Sequence, residues 1–174
     1  MAEHRKEQRR RQGYAVSRPL MPASYGVAPP HIGGMIAWTA LCDRLTSERN
    51  YWVATTRPDG RPHVMPVWGI WLDGMFYFST DAASRKGRNL ANNPHASVHL
   101  ESGDDVVILE GRVEEVTDPA LLNRFADMYE AKYQFRPDVN AAASKVYGLR
   151  PKIAFAWKEK DFPRTATRWS LKGT

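Results

Sequence analysis

The segment from residue 79 to residue 88 combines hydroxyl and basic side chains at a spacing that suits anion binding. Its candidate residues are Ser79, Thr80, Ser84, Arg85, Lys86 and Arg88. A strand is predicted to end at Thr80 and a helix to begin at Ser84, whose hydroxyl can cap the first turn. Free N–H groups at the helix start, the helix dipole and three positive charges favour a phosphate group. A solvated basic helix face explains the same residues, and both interpretations stay open at this point.

No side-chain constellation for catalysis accompanies this segment. The sequence has no G-x-S-x-G, H-E-x-x-H or Walker-loop motif, and its single cysteine, Cys42, lies on the apolar face of a predicted helix. His95 and His99 would lie on one face of a strand about 13 Å apart, which is too far for one metal ion. The sequence therefore predicts no metal site and identifies no catalytic residue. We expect a bound cofactor to supply the chemistry.

Short apolar segments separated by turn residues surround the basic segment. Strands are predicted over 51–56, 63–72, 75–80, 96–100, 106–116, 152–160 and 167–171. Asp73-Gly74 is a favoured hairpin turn, and Pro66 and Gly69 indicate an edge, a bend or a bulge in the second strand. Helices are predicted over 36–45, from Ser84, and after Asp118. Six to seven antiparallel strands with few helices predict a mainly β protein, a β-barrel with α-helical elements.

The composition is typical of a soluble globular protein, with 43% hydrophobic and 25% charged residues among 174. We predict a basic, then Pro- and Gly-rich arm over residues 1–34 and one domain over 35–174. Residues 1–18 carry +4 of the net charge of +6. A solvated arm is favoured over contact with nucleic acid, and the sequence shows neither a membrane-length apolar run nor a secretory signal. The expected location is the reducing cytoplasm.

Two consecutive stretches resemble the pyridoxamine 5′-phosphate oxidase-like superfamily, also described as flavin/deazaflavin oxidoreductases. They read YWVATTRPDGRPHVMPVWGIWLDGMFYFST and SRKGRNLANNPHASVHLESG. The resemblance covers residues 51 to about 116, and the later KIAFAWKEKDFPRTATRW is similar to the end of one subgroup. It implies a split β-barrel of the FMN-binding type, built as a homodimer with the cofactor in a groove between subunits.

The resemblance also implies roles for individual positions. Contacts with the cofactor ring are expected from His63, Val64, Met65, Pro66 and Val67, with Trp68 nearby. The cofactor phosphate is expected at Arg85, Lys86 and Arg88. Arg168 and Trp169 of the second subunit are candidates to complete the site, although ordinary core or interface packing is the alternative for Trp169.

The choice of cofactor lies between F420 and FMN. The superfamily's pyridoxamine phosphate oxidases carry an R-x-V-L-L-K-type strand, whereas the matching strand here, HVMPVWGI, has neither basic residue. This difference and the dense basic cluster favour F420, with hydride transfer to a small electron-poor substrate. FMN, in an oxidase-like flavoprotein or in a flavin-binding module without catalysis, is the alternative.

Overall fold

Strands whose side chains alternate between core and surface build most of the molecule. The computed structural model describes residues 13–171. In β2 the residues alternate strictly between buried and half-buried positions, as expected for a strand with one face on the core. The strands are β1 (Tyr14–Ser17), β2 (Tyr51–Thr56), β3 (Pro62–Val67), β4 (Gly69–Leu72), β5 (Met75–Asp81), β6 (His95–Leu100), β7 (Asp105–Glu115), β8 (Ser144–Lys158) and β9 (Thr167–Leu171).

All strand pairs are antiparallel, and the main path of the sheet runs β1-β9-β8-β7-β6-β2-β3. β4 pairs with β5, and β5 pairs with the first part of β8, so the long strand β8 joins both parts of the sheet. β3 is an edge strand because it is hydrogen-bonded to β2 alone. The predicted mainly β split barrel is confirmed.

The strand count differs from the prediction of six to seven. The predicted strand over 63–72 divides at Trp68 into β3 and β4, as the edge and bend signals of Pro66 and Gly69 indicated. β8 begins at Ser144, earlier than predicted. The prediction missed its first part because the residues there include Gly148 and Pro151, which have low strand propensity. β1 adds a strand within the region predicted to be an arm without strand structure.

Two apolar clusters form the interior. The larger one fills the barrel and includes Tyr51, Val53, Phe76 and Trp169, all at most 1% exposed. The second lies between the longest helix and strands β4 and β5, where Phe125 and Tyr133 contact Ile70. This second cluster fixes a helix against the segment that follows β3.

Within residues 13–171 the sheet is flanked by four helices: α1 (Trp38–Ser47), α2 (Arg85–Asn92), α3 (Pro119–Tyr133) and α4 (Phe162–Thr165). Single 3-10 turns occur at Ala23–Tyr25, Pro30–Ile32 and Glu159–Asp161. Within residues 13–171, no helix combines the length and apolar character needed to cross a membrane.

The described part of the arm lies against the C-terminal segment of its own chain. Arg18 donates hydrogen bonds to the carbonyl oxygens of Gly33, Arg164 and Ala166, and the Ala28 N–H donates to the Pro163 carbonyl at 2.8 Å. The basic run predicted to be solvated, residues 5–11, lies outside the described residues.

Candidate functional site

The start of α2 is a tightly built turn. The Ser84 hydroxyl accepts a hydrogen bond from the Gly87 N–H at 3.0 Å, and the hydroxyls of Thr80 and Ser84 are 3.2 Å apart. A Cβ atom at Gly87 would lie 2.5 Å from the Ala82 carbonyl oxygen, so glycine is required for this close approach. The predicted helix start and its serine cap are confirmed.

Lys86, in the first turn of α2, is a buried cation that has no anionic partner in the part of the chain that the structure describes. Its side chain is 8% exposed, and its Nζ lies 5.7 Å from the centre of the Phe78 ring. Burial lowers the pKa of Lys86. Because desolvating a lysine is costly unless a negative charge compensates, this position favours an anionic ligand.

Two further groups lie near Lys86: Arg57, in the turn after β2, and His63, in β3. Burial lowers the pKa of His63, and the positive charges of Arg57, Lys86 and Arg85 lower it further. His63 Nδ1 and Arg57 Nε are buried and have no hydrogen-bond partner within residues 13–171. Among residues 13–171, no ion pair includes any of the three cations around His63.

This cationic cluster, defined as Arg57, His63, Arg85 and Lys86, has the properties of an anion site. Three positive side chains lie near His63 and lower its pKa, and Arg57 Nε and His63 Nδ1 have no partner among residues 13–171. Arg85 and Lys86 are the first two residues of α2, so the helix N-terminus, which favours anions, is part of the cluster. A phosphate group would supply the missing charge and the missing acceptors. The residues present therefore fit the phosphorylated end of a flavin or deazaflavin.

The remaining hydroxyl and basic residues of the predicted segment are engaged in local contacts. Arg88 donates a hydrogen bond of 2.6 Å to the Ala83 carbonyl and is exposed. Ser79 shares a hydrogen bond of 2.9 Å with Ser144 across β5 and β8. Arg88 thus holds the loop before α2, and its predicted role in phosphate binding stays a prediction.

A buried polar pair connects α2 to β2 beneath the cationic cluster. Asn89 is wholly buried and donates from Nδ2 to the Thr55 hydroxyl at 2.9 Å, while its Oδ1 has no partner. The Thr55 hydroxyl can in turn donate to the His63 carbonyl at 3.4 Å. The helix that carries Lys86 is therefore linked through side chains to the start of β3.

The residues predicted to contact the cofactor ring form an exposed apolar edge. Val64 is 44% exposed, Met65 46% and Trp68 37%. In the β2–β3 register Met65 lies opposite Val53, and Val64 lies opposite Ala54. Consecutive residues of a strand point to opposite faces, and Val64 and Met65 are both exposed, so both faces of β3 are uncovered here. An apolar edge strand of this kind calls for a ligand or another chain to cover it.

The structure separates Arg168 and Trp169 from this region within one chain. Both lie in β9, and four strands separate β9 from β3 in the sheet. Trp169 is 1% exposed and packs edge-on against Trp38 with ring centres 5.7 Å apart. This favours core packing for Trp169 within its own chain, and its predicted role in completing the site of a second subunit stays a prediction. Arg168 is half-buried and bonded to Ser170, and its role across subunits stays a prediction.

The outer face of the sheet carries a groove of about 450 Å³. It crosses β2, β6, β7 and β8 and is lined by Ala54, Thr56, Ser97, Glu110 and Lys152, among others. Of the predicted site residues that the structure describes, none is among its lining residues. Thr55 and Pro62 also line it, and both adjoin His63, so the groove borders the cationic cluster at the start of β3.

The histidines outside the cluster have structural contacts. His99 stacks on Trp52 with ring centres 6.4 Å apart, and His95 interacts with Asn93. Residues 13–171 contain no group of three histidine, cysteine, aspartate or glutamate side chains that could hold a metal ion.

Sequence reasoning missed one residue of the cluster and one residue beneath it. Arg57 was interpreted only as part of the turn sequence RPDG, although this turn connects β2 to the predicted ring strand. Asn89 carried no signal, because a polar residue on a short helix is normally assigned to the surface. Only the packing of α2 against β2 shows that it is buried.

Comparison with known proteins identifies the family. A model of the pyridoxamine 5′-phosphate oxidase family matches residues 38–158, more than half of the chain. The chain belongs to this family. The match spans the edge strand, the cationic cluster and most of the sheet, so it includes every part of the site described above except β9.

A curated pyridoxine/pyridoxamine 5′-phosphate oxidase of Bradyrhizobium diazoefficiens is 39% identical over 124 residues, which are 68% of this chain and 54% of that protein. The matched curated oxidases are covered over 34% to 54% of their own length, so the chain spans about half of them or less.

Two of the solved structures that resemble this fold have a sequence identity of 25% or more to this chain. A conserved hypothetical protein of Mycobacterium tuberculosis has a TM-score of 0.64 and 25% identity, with 72% of this chain and 87% of that chain covered. A protein named F420 reductase has a TM-score of 0.52 and 27% identity, with 64% of this chain and 94% of that chain covered.

Proposed function

We propose that this protein is a deazaflavin-dependent oxidoreductase that transfers a hydride between F420 and a small electron-poor organic substrate. The observation that carries the proposal is the cationic cluster. Among the described residues Lys86 is buried without an anionic partner, and Arg57 and His63 each have a buried nitrogen without a hydrogen-bond partner. A phosphorylated cofactor at this position would satisfy all three.

Each part of the site has a role in this proposal. Lys86, Arg57 and Arg85 bind the phosphate and neutralise its charge. The apolar residues Val64 and Met65 orient the ring along β3 and exclude water from it. When bound, the cofactor supplies the hydride chemistry at its ring, and the protein supplies orientation and electrostatics.

Two observations support F420 as the first choice. The ring strand has no basic residue between Pro62 and Leu72 except the neighbouring His63, so the positive charges are concentrated at one end of β3. A long anionic tail suits such a concentration. In addition, the resemblance to the protein named F420 reductase covers 94% of that smaller chain.

FMN is the second candidate, and the curated relatives favour it. The oxidase of Bradyrhizobium diazoefficiens shares 39% identity over residues that include most of the domain. A single phosphate would also satisfy the cationic cluster. In this case the protein is an FMN-dependent oxidase-like flavoprotein or a flavin-binding module without turnover.

We also propose that the protein is a homodimer with one cofactor site at each end of the subunit interface. The uncovered apolar edge at β3 and the groove on the outer face of the sheet support this proposal. A second copy is the simplest partner that could cover both surfaces in a symmetric way. Light scattering on the purified protein measures the mass of the assembly.

Binding titrations of the purified protein with F420 and with FMN test the proposed function. We expect F420 to bind with micromolar or tighter affinity and FMN to bind more weakly. Binding of FMN alone would favour the second candidate. If neither compound binds, the oxidoreductase proposal is wrong.

The variant Lys86→Met tests the position of the phosphate. Because a charge-assisted hydrogen bond contributes about 1.5–3 kcal/mol, we expect the affinity for the bound cofactor to fall at least about tenfold. The matched control is Lys158→Met, which removes an exposed lysine at the end of β8. Equal affinity of both variants and the wild type would put the phosphate elsewhere.

A further inference from the structure

The far end of β3 is held by the last two residues of α3. β3 ends at Val67, and the chain leaves the β2–β3 pair at Trp68 to start β4, which pairs with β5. An edge strand has hydrogen bonds on one side only, so its neighbour in the sheet does not fix its shape fully. Something else must fix the bend at residues 68 and 69.

The Tyr133 hydroxyl lies within hydrogen-bond distance of both the N–H and the carbonyl of Gly69. The Tyr133 hydroxyl accepts a hydrogen bond from the Gly69 N–H at 2.9 Å, and it can donate to the carbonyl of Gly69 at 2.9 Å or of Arg49 at 2.8 Å. Gly69 itself has no room for a side chain, because a Cβ atom would lie 2.3 Å from Phe76. The bend is therefore fixed from two directions.

The ring of Tyr133 also holds Trp68. The two rings are stacked, with centres 4.7 Å apart and planes 5° from parallel. The Arg49 guanidinium lies 5.1 Å from the centre of the Trp68 ring. Trp68 is nevertheless 37% exposed, so the stacked indole keeps surface that a ligand along β3 can contact.

Lys132 completes this arrangement from the preceding position of α3. Its ammonium group donates to the Thr46 carbonyl at 2.9 Å and to the Tyr51 hydroxyl at 2.7 Å, and it lies 3.5 Å from the Gly69 carbonyl. One side chain thus joins the end of α1, the start of β2 and the bend after β3. Among residues 13–171 it forms no ion pair.

We propose that Lys132 and Tyr133 are positioning residues of the cofactor site: they fix the Gly69 bend and hold the Trp68 indole where it contacts the cofactor ring. The inference rests on the proposed function, because it requires a ring along β3. It adds that the ring end of the site is organised by the C-terminal turn of α3 before the cofactor binds. The phosphate end does not depend on these two residues.

The variant Tyr133→Phe tests the inference, because it removes the hydroxyl and keeps the stacked ring. We expect the affinity for F420, or for FMN if that is the cofactor bound, to fall about five- to tenfold. We also expect the visible circular dichroism of the bound ring to change, while the affinity for inorganic phosphate stays that of the wild type. A merely structural role would lower thermal stability without changing the spectrum of the bound ring.

The control is Tyr129→Phe, which removes a hydroxyl one turn earlier on the same helix. Tyr129 packs against Tyr133 and Trp68, but its hydroxyl makes no hydrogen bond in the described part of the chain. We expect wild-type affinity and wild-type spectrum for this control. If Tyr133→Phe does not fold, the variants Lys132→Met and Lys132→Arg test the same inference. We expect Lys132→Met to alter the spectrum of the bound ring and Lys132→Arg to keep the wild-type spectrum.

The outcomes separate this inference from the proposed function. If the wild type binds neither F420 nor FMN, the proposed function fails and the inference fails with it. If the wild type binds one of them and Tyr133→Phe has the same affinity and the same ring spectrum, only the positioning role is wrong.

Discussion

At the His63 end of β3 two buried nitrogen atoms lack partners among the described residues, whereas at the Trp68 end the Gly69 N–H donates to the Tyr133 hydroxyl and the Gly69 carbonyl lies within reach of Tyr133 and Lys132. The two ends lie about 17 Å apart along the strand. The first end gathers positive charge around Lys86, and the second gathers aromatic rings around Trp68. Both ends are organised by a helix, α2 in one case and α3 in the other.

This difference between the two ends of β3 indicates that the His63 end requires a ligand. Buried groups that lack partners are costly, so an end built in this way is completed by something that binds there. An end whose groups are already satisfied has its shape before binding. We therefore expect the phosphate end to determine most of the affinity and the Trp68 end to determine the position of the ring.

The largest expected effect comes from Gly87→Ala at the phosphate end. Its new Cβ atom would lie 2.5–2.6 Å from the carbonyl oxygens of Ala82 and Asp81. The forced shift of the helix start should cost about 1–3 kcal/mol of unfolding free energy and should also weaken cofactor binding. Chemical denaturation and cofactor titration measure the two effects.

Gly103→Ala is the matched control for this substitution, because a Cβ atom at Gly103 meets nothing within 4 Å. We expect it to leave stability and binding close to those of the wild type. If Gly87→Ala behaves like Gly103→Ala, the turn before α2 is not the rigid support that the phosphate end requires.

A smaller effect is expected from Lys132→Met at the Trp68 end, as a change in the pH dependence of stability. Burial lowers the pKa of Lys132 from 10.5 to about 8, although the nearby Glu48 carboxylate acts in the opposite direction. Between about pH 8 and pH 10.5 this lysine is therefore protonated more often in the unfolded chain than in the folded chain. Its contribution to the free energy of unfolding consequently rises with pH over this range.

Urea denaturation of the wild type and Lys132→Met between about pH 7.5 and pH 9.5 measures this effect. We expect the rise to be smaller in the variant. The phenols of Tyr51 and Tyr133 face the same amine, but burial raises the pKa of both, so they stay protonated over this range. Identical slopes for the two proteins would show that the Lys132 ammonium is not desolvated.

The smallest expected effect is a shift in the titration of His63 when an anion binds. In the free protein, burial and the charges of Arg57, Lys86 and Arg85 hold the pKa of His63 below its usual value of 6.5. A bound phosphate would cancel part of that repulsion, so the pKa should rise. Histidine NMR with and without inorganic phosphate, assigned with His63→Gln, measures the shift.

The other histidines provide the internal reference for this titration. His95 and His99 lie in β6 and contact Asn93 and Trp52 rather than the cationic cluster. We expect phosphate to leave their NMR signals at a fixed pH unchanged. A uniform shift of all histidines, or no shift of His63, would contradict an anion site at this position.

Much of the fold could be predicted because its signals are local. Alternating residues in β2, the Asp73-Gly74 hairpin and the Ser84 cap each depend on neighbours in sequence, and each is confirmed. The start of β8 could not be predicted, because pairing with β5 and β7 overrides the weak strand propensity of Gly148.

The candidate site divides in the same way. Lys86 could be selected from its type and position, although only the structure shows that it is buried. His63 was selected from the resemblance as a ring contact, and only the structure shows that it lies beside the basic residues. For Trp169 the sequence left ligand contact and core packing open, and the packing of β9 shows its burial. Tyr133 carried no signal, because it lies 64 residues from the glycine to which it is bonded.

Most of the strands, the turns and the group of basic residues at the start of α2 could be read from the sequence, because these features depend on residue type and short-range spacing. Only the tertiary structure decided which of those cations lack partners, which tryptophan is accessible and which helix fixes the end of β3. These properties arise from burial and from contacts between distant segments, and a linear pattern contains no measure of either.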